Sequence, residues 1–354
     1  MSYASKDEQL KRIGRLSQLG GITSFAHAEG RAKGTSTLRV KTAAGLEFWV
    51  VPDRGMDIYE ASFRGRSLCW HAPQGMVHPA YYSNRGLEWL KTFSGGLLTT
   101  CGLTTAGGPS HDDGEDLGLH GAVSTIPAEQ VNWTESWDGG DCFFEISGRV
   151  REAEVHGANV VMERRITSSL HSTALTIEDV VTNEGVRTSP LMVLYHLNFG
   201  YPLLTERSRV VAPSKVVHPV DELSLESIDR WMDFEAAVRN QRERVYFHEM
   251  TARPDGWVDV VLVSDQRQPD FAVKLSYDSA SLPQFAQWKM TGENHFVQGL
   301  EPSNCRTLGR KAERERGSLQ FLEPGETKRF QLRLEVLDDA QKVQESIQAI
   351  VSER

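Results

Sequence analysis

The sequence predicts an all-β protein, built as an antiparallel sandwich or barrel. Between about residues 35 and 336, apolar residues recur mostly with period two, in short runs bounded by Gly, Pro, Asn and Asp. Helical periodicity is confined to the chain ends, so helices do not alternate with strands as they do in βαβ folds. Because no linker-like or repeated segment divides the chain, we expect residues 1–354 to form a single domain.

The predicted strands follow one another closely along the chain. Residues 46–51 form the first, and residues 59–63 and 67–70 flank a turn that is typical of a β-hairpin. Further strands are predicted, in chain order, over residues 142–150, 159–166, 174–181, 191–199, 257–263, 271–277, 284–290, 296–301 and 330–336.

Helices are predicted only near the two termini, over residues 8–19 and 339–351. In the second segment Val343, Ile347 and Ile350 form one apolar face. Either Asp338 or Asp339 would be a suitable N-cap for this helix.

Composition and charge exclude several classes of partner. A formal charge of −9, with no dense run of Lys or Arg, argues against nucleic acid and anionic membranes as partners.

The N-terminus does not resemble a secretory signal, which predicts a cytoplasmic protein. The four cysteines are widely spaced and form no CxxC pair, so neither a disulfide scaffold nor a zinc site is expected. No feature of the sequence indicates an oligomeric state.

A histidine between glycines is the first candidate for chemistry. His120 lies between Gly118 and Gly121. Because glycine has no side chain to cover a neighbour, this segment lets a ligand approach the backbone and leaves the imidazole accessible. The alternative interpretation is a histidine in a surface turn.

The strand predicted over residues 191–199 carries two polar side chains on one face. Alternation places His196 and Asn198 together, while both faces are otherwise largely apolar. An imidazole and an amide in such surroundings need hydrogen-bond partners or a wet cleft to offset their desolvation. A structural histidine with satisfied hydrogen bonds is the alternative.

Glu301 ends another predicted strand and is followed by Pro302, which disfavours helical geometry at the glutamate. A carboxylate at a strand end that faces a cleft can act as a general base. The alternative is a solvated or ion-paired glutamate.

Three further features allow more than one interpretation. The acidic segment 107–118 would suit calcium but lacks the spacing of a calcium loop, which favours an acidic surface loop. Cys101 has no local base, so a buried thiol is favoured over a nucleophile. Four tryptophans could either stack on a sugar or pack in the core: Trp70, Trp89, Trp257 and Trp288.

Together and in this order, the candidate segments resemble the galactose mutarotase-like (aldose 1-epimerase) superfamily. Leu119-His120-Gly121 is similar to its Leu-His-Gly motif, Tyr195-His196-Leu197-Asn198 to its Asn-His-x-x-Phe-Asn strand, and Gly299-Leu300-Glu301 to the strand of its catalytic glutamate. Residues 51–58 and 95–103 resemble an uncharacterised branch of that superfamily with a domain of unknown function. The resemblance covers most of the chain and implies a large antiparallel β-supersandwich with a concave sugar-binding cleft.

The resemblance also implies roles for the candidate residues. His196 would protonate the ring oxygen of a sugar while Glu301 accepts the proton of the anomeric hydroxyl. His120 would hold the ring oxygen or a neighbouring hydroxyl. Ring opening, rotation about the C1–C2 bond and closure would then interconvert the anomers without a metal or organic cofactor.

The chain departs from ordinary mutarotases in the residues that hold the sugar. Their Gly-Arg-x-x-Asn-Arg segment corresponds here to Leu-Thr-Thr-Cys-Gly at 98–102. Arg54 is a candidate replacement for the missing arginine, with an internal ion pair to Asp57 as the alternative. Lys289 and His248 are polar candidates in place of the substrate-binding aspartate, which has no clear counterpart.

The expected function is therefore an aldose 1-epimerase-like isomerase acting on a monosaccharide or a sugar derivative. One alternative is a non-catalytic carbohydrate-binding protein, and another is a different sugar epimerase or isomerase on the same scaffold. A binding protein would need hydrogen bonds from His196 and Glu301 but no complementary protonation of the two groups.

Overall fold

The computed structural model describes residues 4–353, and its two main elements are large β-sheets that pack face to face. Neighbouring strands within both sheets are antiparallel. The predicted antiparallel β-sandwich is thereby confirmed. Among the residues described, no helix has the length and apolar character required to cross a membrane.

The first sheet has twelve strands, ten in one continuous path and two short ones attached at its side. In hydrogen-bonded order the path is β1 (Gly21–Ala26), β2 (Ser36–Lys41), β3 (Leu46–Val51), β4 (Asp57–Phe63), β8 (Leu98–Leu103), β15 (Ser189–Gly200), β22 (His295–Ser303), β21 (Gln284–Gly292), β18 (Arg244–Met250) and β17 (Ser214–Pro219). The attached strands are β5 (Arg66–Ser67), which pairs with β4, and β23 (Gln320–Leu322), which pairs with β15.

The second sheet has eight strands, and two small two-stranded sheets lie outside both large ones. In order, the second sheet is β11 (Glu129–Asp138), β12 (Asp141–Ala153), β13 (Asn159–Ser169), β14 (Ala174–Asn183), β24 (Thr327–Leu337), β20 (Ala272–Asp278), β19 (Trp257–Val263) and β16 (Arg209–Val211). The small sheets are β6 (Trp70–His71) with β7 (Gly95–Gly96), and β9 (Ser110–Asp112) with β10 (Glu115–Leu117).

The helices are short and peripheral: α1 (Lys6–Leu10), α2 (Glu222–Glu226), α3 (Arg310–Glu315) and α4 (Ala340–Ser352). The predicted C-terminal helix is confirmed, since the Asp339 side chain accepts hydrogen bonds from two backbone amides at the start of α4. The helix predicted over residues 8–19 is wrong. Only α1 and a short 3-10 turn at Leu16–Gln18 form there, because Gly14 interrupts the pattern and α1 buries no residue.

A buried polar network joins the facing surfaces of the two sheets. The guanidinium of Arg164 in β13 donates to Asp179 in β14 at 2.6 Å and to Asp57 in β4 at 2.9 Å. Asp57 also accepts from the backbone and hydroxyl of Thr100, and the Tyr195 hydroxyl donates to Asp179 at 2.7 Å. Tyr195 therefore points into the core, which leaves its neighbours on β15 facing outward.

Candidate active site

His196 and Glu301 lie side by side on two adjacent central strands. The register that pairs Leu194 with Ser303 and Leu197 with Leu300 sets His196 of β15 opposite Glu301 of β22. Residues opposite each other share a face of the sheet, and here it is the face turned away from the second sheet. The Nε2 atom of His196 is 3.3 Å from the Oε1 atom of Glu301. The sequence motifs have thus been brought together by strand pairing alone.

Three polar atoms on this face are buried without a partner. His196 Nδ1 and Asn198 Oδ1 have no hydrogen-bond partner among the described residues, and neither has Glu301 Oε1, because its 3.3 Å contact with His196 Nε2 lacks hydrogen-bond geometry. The amide nitrogen of Asn198 donates to the His196 carbonyl. Most buried polar groups in proteins are hydrogen-bonded, so a cluster of unpartnered ones on one face is unusual. Such a cluster is suited to the hydroxyl groups of a ligand.

Aromatic rings cover the pair, whose side chains are only 6% and 3% exposed. The His196 ring centroid is 5.3 Å from that of Trp288 and 5.4 Å from that of Phe93. Trp70 extends the cover, because its ring contacts both of these residues. Trp70 and Trp288 thus belong to the site, whereas Trp257 lies in the second sheet.

A glycine in β22 provides the space that the Glu301 carboxylate occupies. A Cβ atom built on Gly299 would lie 2.6 Å from Glu301 Oε1 and 2.9 Å from the Cβ atom of Trp288. In the sequence Gly299 is recognisable only as part of a motif, and its role in making room for the carboxylate is not predicted. The close approach of two side chains over a strand glycine depends on their conformations, which the sequence does not reveal.

Burial moves the pKa values of the pair in opposite directions. It raises the pKa of Glu301 to about 8, with the negative charge of Glu243 adding to the shift. It lowers the pKa of His196 to about 3, with the nearby His120 adding to the effect. Both shifts favour uncharged forms, so near neutral pH the pair holds one proton, on Glu301. Transfer of that proton to His196 gives the imidazolium and carboxylate form.

His120 lies close to the pair, in the turn predicted to expose it. Its backbone has a φ of 59°, and its Nδ1 accepts a hydrogen bond from the Gly107 amide. The ring centroid is 5.8 Å from that of His196 and 4.7 Å from that of Trp89. Burial lowers the pKa of His120 to about 4, so the ring is neutral at physiological pH. The structure therefore brings His120, His196, Asn198 and Glu301 together.

Arg54 is buried and uses its guanidinium on the protein itself. Its two terminal nitrogens donate to the carbonyl oxygens of Val77 and Thr92, at 2.6 and 3.0 Å. The alternative ion pair with Asp57 does not form in the described chain, because Asp57 binds Arg164 instead. Arg54 thus fixes the segment that leads to Phe93 in the aromatic cover.

The structure does not bring Lys289 and His248 to the face that carries His196 and Glu301. In β21, Ala286 pairs with Glu301, so Lys289, an odd number of residues away, points to the opposite face of the sheet. There its ammonium donates to the carbonyls of Arg230 and Asp233. The strand register places His248 on the same inner face, where its ring nitrogens contact Ser214 and Gln287.

The other ambiguous features also have local explanations. The acidic segment 107–118 contains the β9–β10 hairpin, whose Asp112 accepts from Arg310 and Arg314 of α3. Its carboxylates are thus partly neutralised by arginines. Cys101 is buried, its pKa is raised by burial, and it is a free thiol. A buried thiol with a raised pKa is a poor nucleophile, which agrees with the preferred interpretation.

The two-sheet architecture is that of galactose mutarotase-like proteins. A provisionally named aldose 1-epimerase from Klebsiella pneumoniae has a TM-score of 0.90 and 25% identity, over 99% of this chain and 91% of that chain. A galactose mutarotase-like protein from Clostridium acetobutylicum has a TM-score of 0.60 at 12% identity, over 90% and 99%. A galactose 1-epimerase from Lactobacillus acidophilus NCFM has a TM-score of 0.56 at 11% identity, over 90% and 98%.

Within that fold the chain has a definite family. The model of a domain of unknown function, DUF4432, matches residues 32–336. The chain belongs to this family, and the predicted membership of an uncharacterised mutarotase-like branch is confirmed. No curated protein matches the chain in sequence.

Proposed function

We propose that this protein is an aldose 1-epimerase-like isomerase, which interconverts the α and β anomers of a monosaccharide or sugar derivative within a single domain. The observation that carries the proposal is the buried pair of His196 and Glu301, 3.3 Å apart with unpartnered atoms beside it. Ring opening needs one group that gives a proton and one that takes it. The 25% identity to a provisionally named aldose 1-epimerase supports the same reaction class.

The proposed reaction conserves the single proton of the pair. The His196 imidazolium gives its proton to the ring oxygen, while the Glu301 carboxylate takes the proton of the anomeric hydroxyl. The bond between C1 and the ring oxygen breaks as the C1 carbonyl forms. The pair is then a neutral imidazole beside a protonated carboxyl, which is the form that burial favours. After rotation about C1–C2, the reverse transfers close the ring on the other face.

The surroundings of the pair supply groups that bind sugars. The Asn198 Oδ1 atom can accept a hydrogen bond from a sugar hydroxyl, and the neutral ring of His120, whose Nδ1 accepts from the Gly107 amide, can donate one from Nε2. Tryptophan rings stack on the apolar faces of sugars. Because the pair is almost completely covered, we infer that Trp70 and Trp288, whose centroids are 6.0 Å apart, separate when a sugar enters.

The test is anomer-exchange NMR over a panel of free aldoses, sugar acids and deoxy sugars, with the spontaneous rate subtracted. The parent protein should accelerate exchange of at least one sugar, and His196→Asn should lose most of the acceleration. His248→Gln is the matched control, because His248 is a buried histidine on the opposite face of the same sheet. It should keep the parent rate.

Two results would contradict the proposal. A sugar that binds without faster exchange would indicate a non-catalytic carbohydrate-binding protein. Acceleration that survives in folded His196→Asn would show that other groups carry the chemistry.

A further inference from the structure

A glutamate, a cysteine and a histidine converge on the far side of the strand that carries Trp70. Cys69 and His71 flank Trp70, and Glu60 lies on the neighbouring strand β4. The Nε2 atom of His71 is 3.3 Å from Glu60 Oε2 and 3.5 Å from Cys69 Sγ. The Sγ atom is 3.9 Å from Glu60 Oε1. One ligand atom from each residue thus falls within 4.8 Å of the other two.

Two of these distances match edges of a zinc coordination tetrahedron. With Zn–S of about 2.3 Å and Zn–N and Zn–O of about 2.0–2.2 Å, tetrahedral angles place N and O about 3.4 Å apart and S about 3.6 Å from each. The observed separations are 3.3 Å from His71 Nε2 to Glu60 Oε2 and 3.5 Å from Nε2 to Cys69 Sγ, while Sγ lies 3.9 Å from the other carboxylate oxygen, Oε1. A rotation of the Glu60 carboxylate is needed to bring one oxygen to coordination distance from both His71 Nε2 and Cys69 Sγ, whose ligand atoms already lie within 4.8 Å of it.

The side chains are also oriented for a metal. The His71 ring stacks on Tyr59 with centroids 4.6 Å apart and planes 6° from parallel, which directs Nε2 towards the other two groups. Cys69 is buried, and its contacts with the backbone carbonyls of Tyr59 and Ala61 are long, at 3.6 and 3.8 Å. The side chains of His71 and Glu60 are 36% and 24% exposed, so solvent can reach a fourth position.

We propose that Glu60, Cys69 and His71 form a binding site for a divalent zinc ion, with water or an external ligand in the fourth position. Zinc takes this mixed set of sulfur, nitrogen and oxygen ligands, and three protein ligands with one open position are common for it. The sequence predicts no metal site, because its four cysteines form no CxxC pair. Here the turn between β4 and β5 brings a Cys-x-His segment back alongside Glu60.

A zinc ion at this site would also stabilise Trp70, one of the aromatic residues that cover His196 and Glu301. Successive residues of an extended segment point to opposite sides, so Cys69 and His71 face the proposed zinc site while the Trp70 ring packs against Phe93 and Trp288. A bound ion ties β6 to β4 and holds the Trp70 segment in place. The proposal does not depend on the anomerase activity, because binding is measured without any sugar.

The experiment is zinc titration of the tag-free, chelator-treated full chain against a chromophoric chelator, followed by cobalt(II) substitution. The parent should bind one zinc ion per chain at micromolar free zinc. Its cobalt form should show a thiolate charge-transfer band. Removal of an outer-shell partner typically costs a metal site about 10–100-fold in affinity, so loss of a direct ligand in His71→Gln should cost about 100-fold or more. Cys69→Ser should abolish the cobalt–thiolate band.

Two matched variants serve as controls: His111→Gln removes an exposed histidine elsewhere, and Cys142→Ser removes a buried thiol of the second sheet. Both should bind zinc like the parent. Circular dichroism checks the fold of each variant, and His71→Gln keeps the test decisive if Cys69→Ser fails to fold. Absence of a stoichiometric zinc ion in the parent would overturn the proposal. Unchanged zinc affinity in His71→Gln would do the same.

Discussion

Replacing Gly299 by alanine tests whether the position of the Glu301 carboxylate matters for the proposed chemistry. The added Cβ would lie 2.6 Å from Glu301 Oε1, where ordinary contacts begin at 3.4 Å. The carboxylate must therefore move by roughly 0.8 Å, and Trp288, whose Cβ atom would be 2.9 Å from the new methyl group, must shift as well, since the strand backbone is fixed by pairing. A misplacement of about 1 Å can cost on the order of 10²-fold in rate. We expect Gly299→Ala to slow anomer exchange by about that factor.

The assay is exchange NMR on the best sugar of the panel, with urea unfolding in parallel. Gly292→Ala is the matched control, because Gly292 ends the adjacent strand β21 and a Cβ there would meet nothing closer than 3.6 Å. This control should keep the parent rate. Parent-like exchange by folded Gly299→Ala would refute the argument that the glycine sets the position of the carboxylate.

Three further predictions concern stability. The native pKa of Glu301 is about 8 against an ordinary 4.5, so the folded state holds a proton that the unfolded state releases. Parental stability should therefore fall between about pH 4.5 and 8, by at most about 1.4 kcal/mol per pH unit, relative to Glu301→Gln. Parallel urea-unfolding profiles of the two proteins over that range would contradict this. Asp339→Ala removes the N-cap of α4 and should lower the free energy of unfolding, measured in urea, by about 1 kcal/mol. An unchanged urea midpoint would show that the cap does not stabilise the protein. Arg164→Met leaves the buried carboxylates of Asp57 and Asp179 without their cationic partner, and the free energy of unfolding should fall by about 3–5 kcal/mol. A decrease below about 1 kcal/mol would show that the two carboxylates are not ionised.

Local sequence patterns were sufficient to predict the position of strands that bury one or both of their faces. The strand predicted over residues 191–199 lies inside Ser189–Gly200, and that over 257–263 coincides with Trp257–Val263. The strand Glu129–Asp138 was missed because it is the edge strand of its sheet and is exposed along most of its length. Without a buried face, the alternation that marks a strand is absent.

The candidate site was predictable only where the motif and the alternation agreed. His196 and Asn198 share a face because they are two residues apart on one strand, and that could be read from the sequence. The sequence prediction put Lys289 and His248 on the face of His196 and Glu301, and it differs from the structure for another reason. Which face of β18 or β21 meets Glu301 depends on the register between strands, and a shift of one residue exchanges the faces. The sequence prediction put Arg54 in the cleft, whereas in the structure its guanidinium donates to backbone carbonyls. Every residue has a backbone carbonyl, so the sequence cannot show that these are its partners.

The most direct test of the central claim is the rate of anomer exchange in Glu301→Gln, measured by exchange NMR with the spontaneous rate subtracted. The amide keeps the shape and hydrogen-bonding capacity of the carboxyl group but cannot take the anomeric proton. We predict that exchange falls by about 10²–10⁴-fold while sugar affinity stays within about tenfold. If Glu301→Gln exchanged anomers as fast as the parent, Glu301 would not be the base, and a non-catalytic sugar-binding protein would be the better description of this chain.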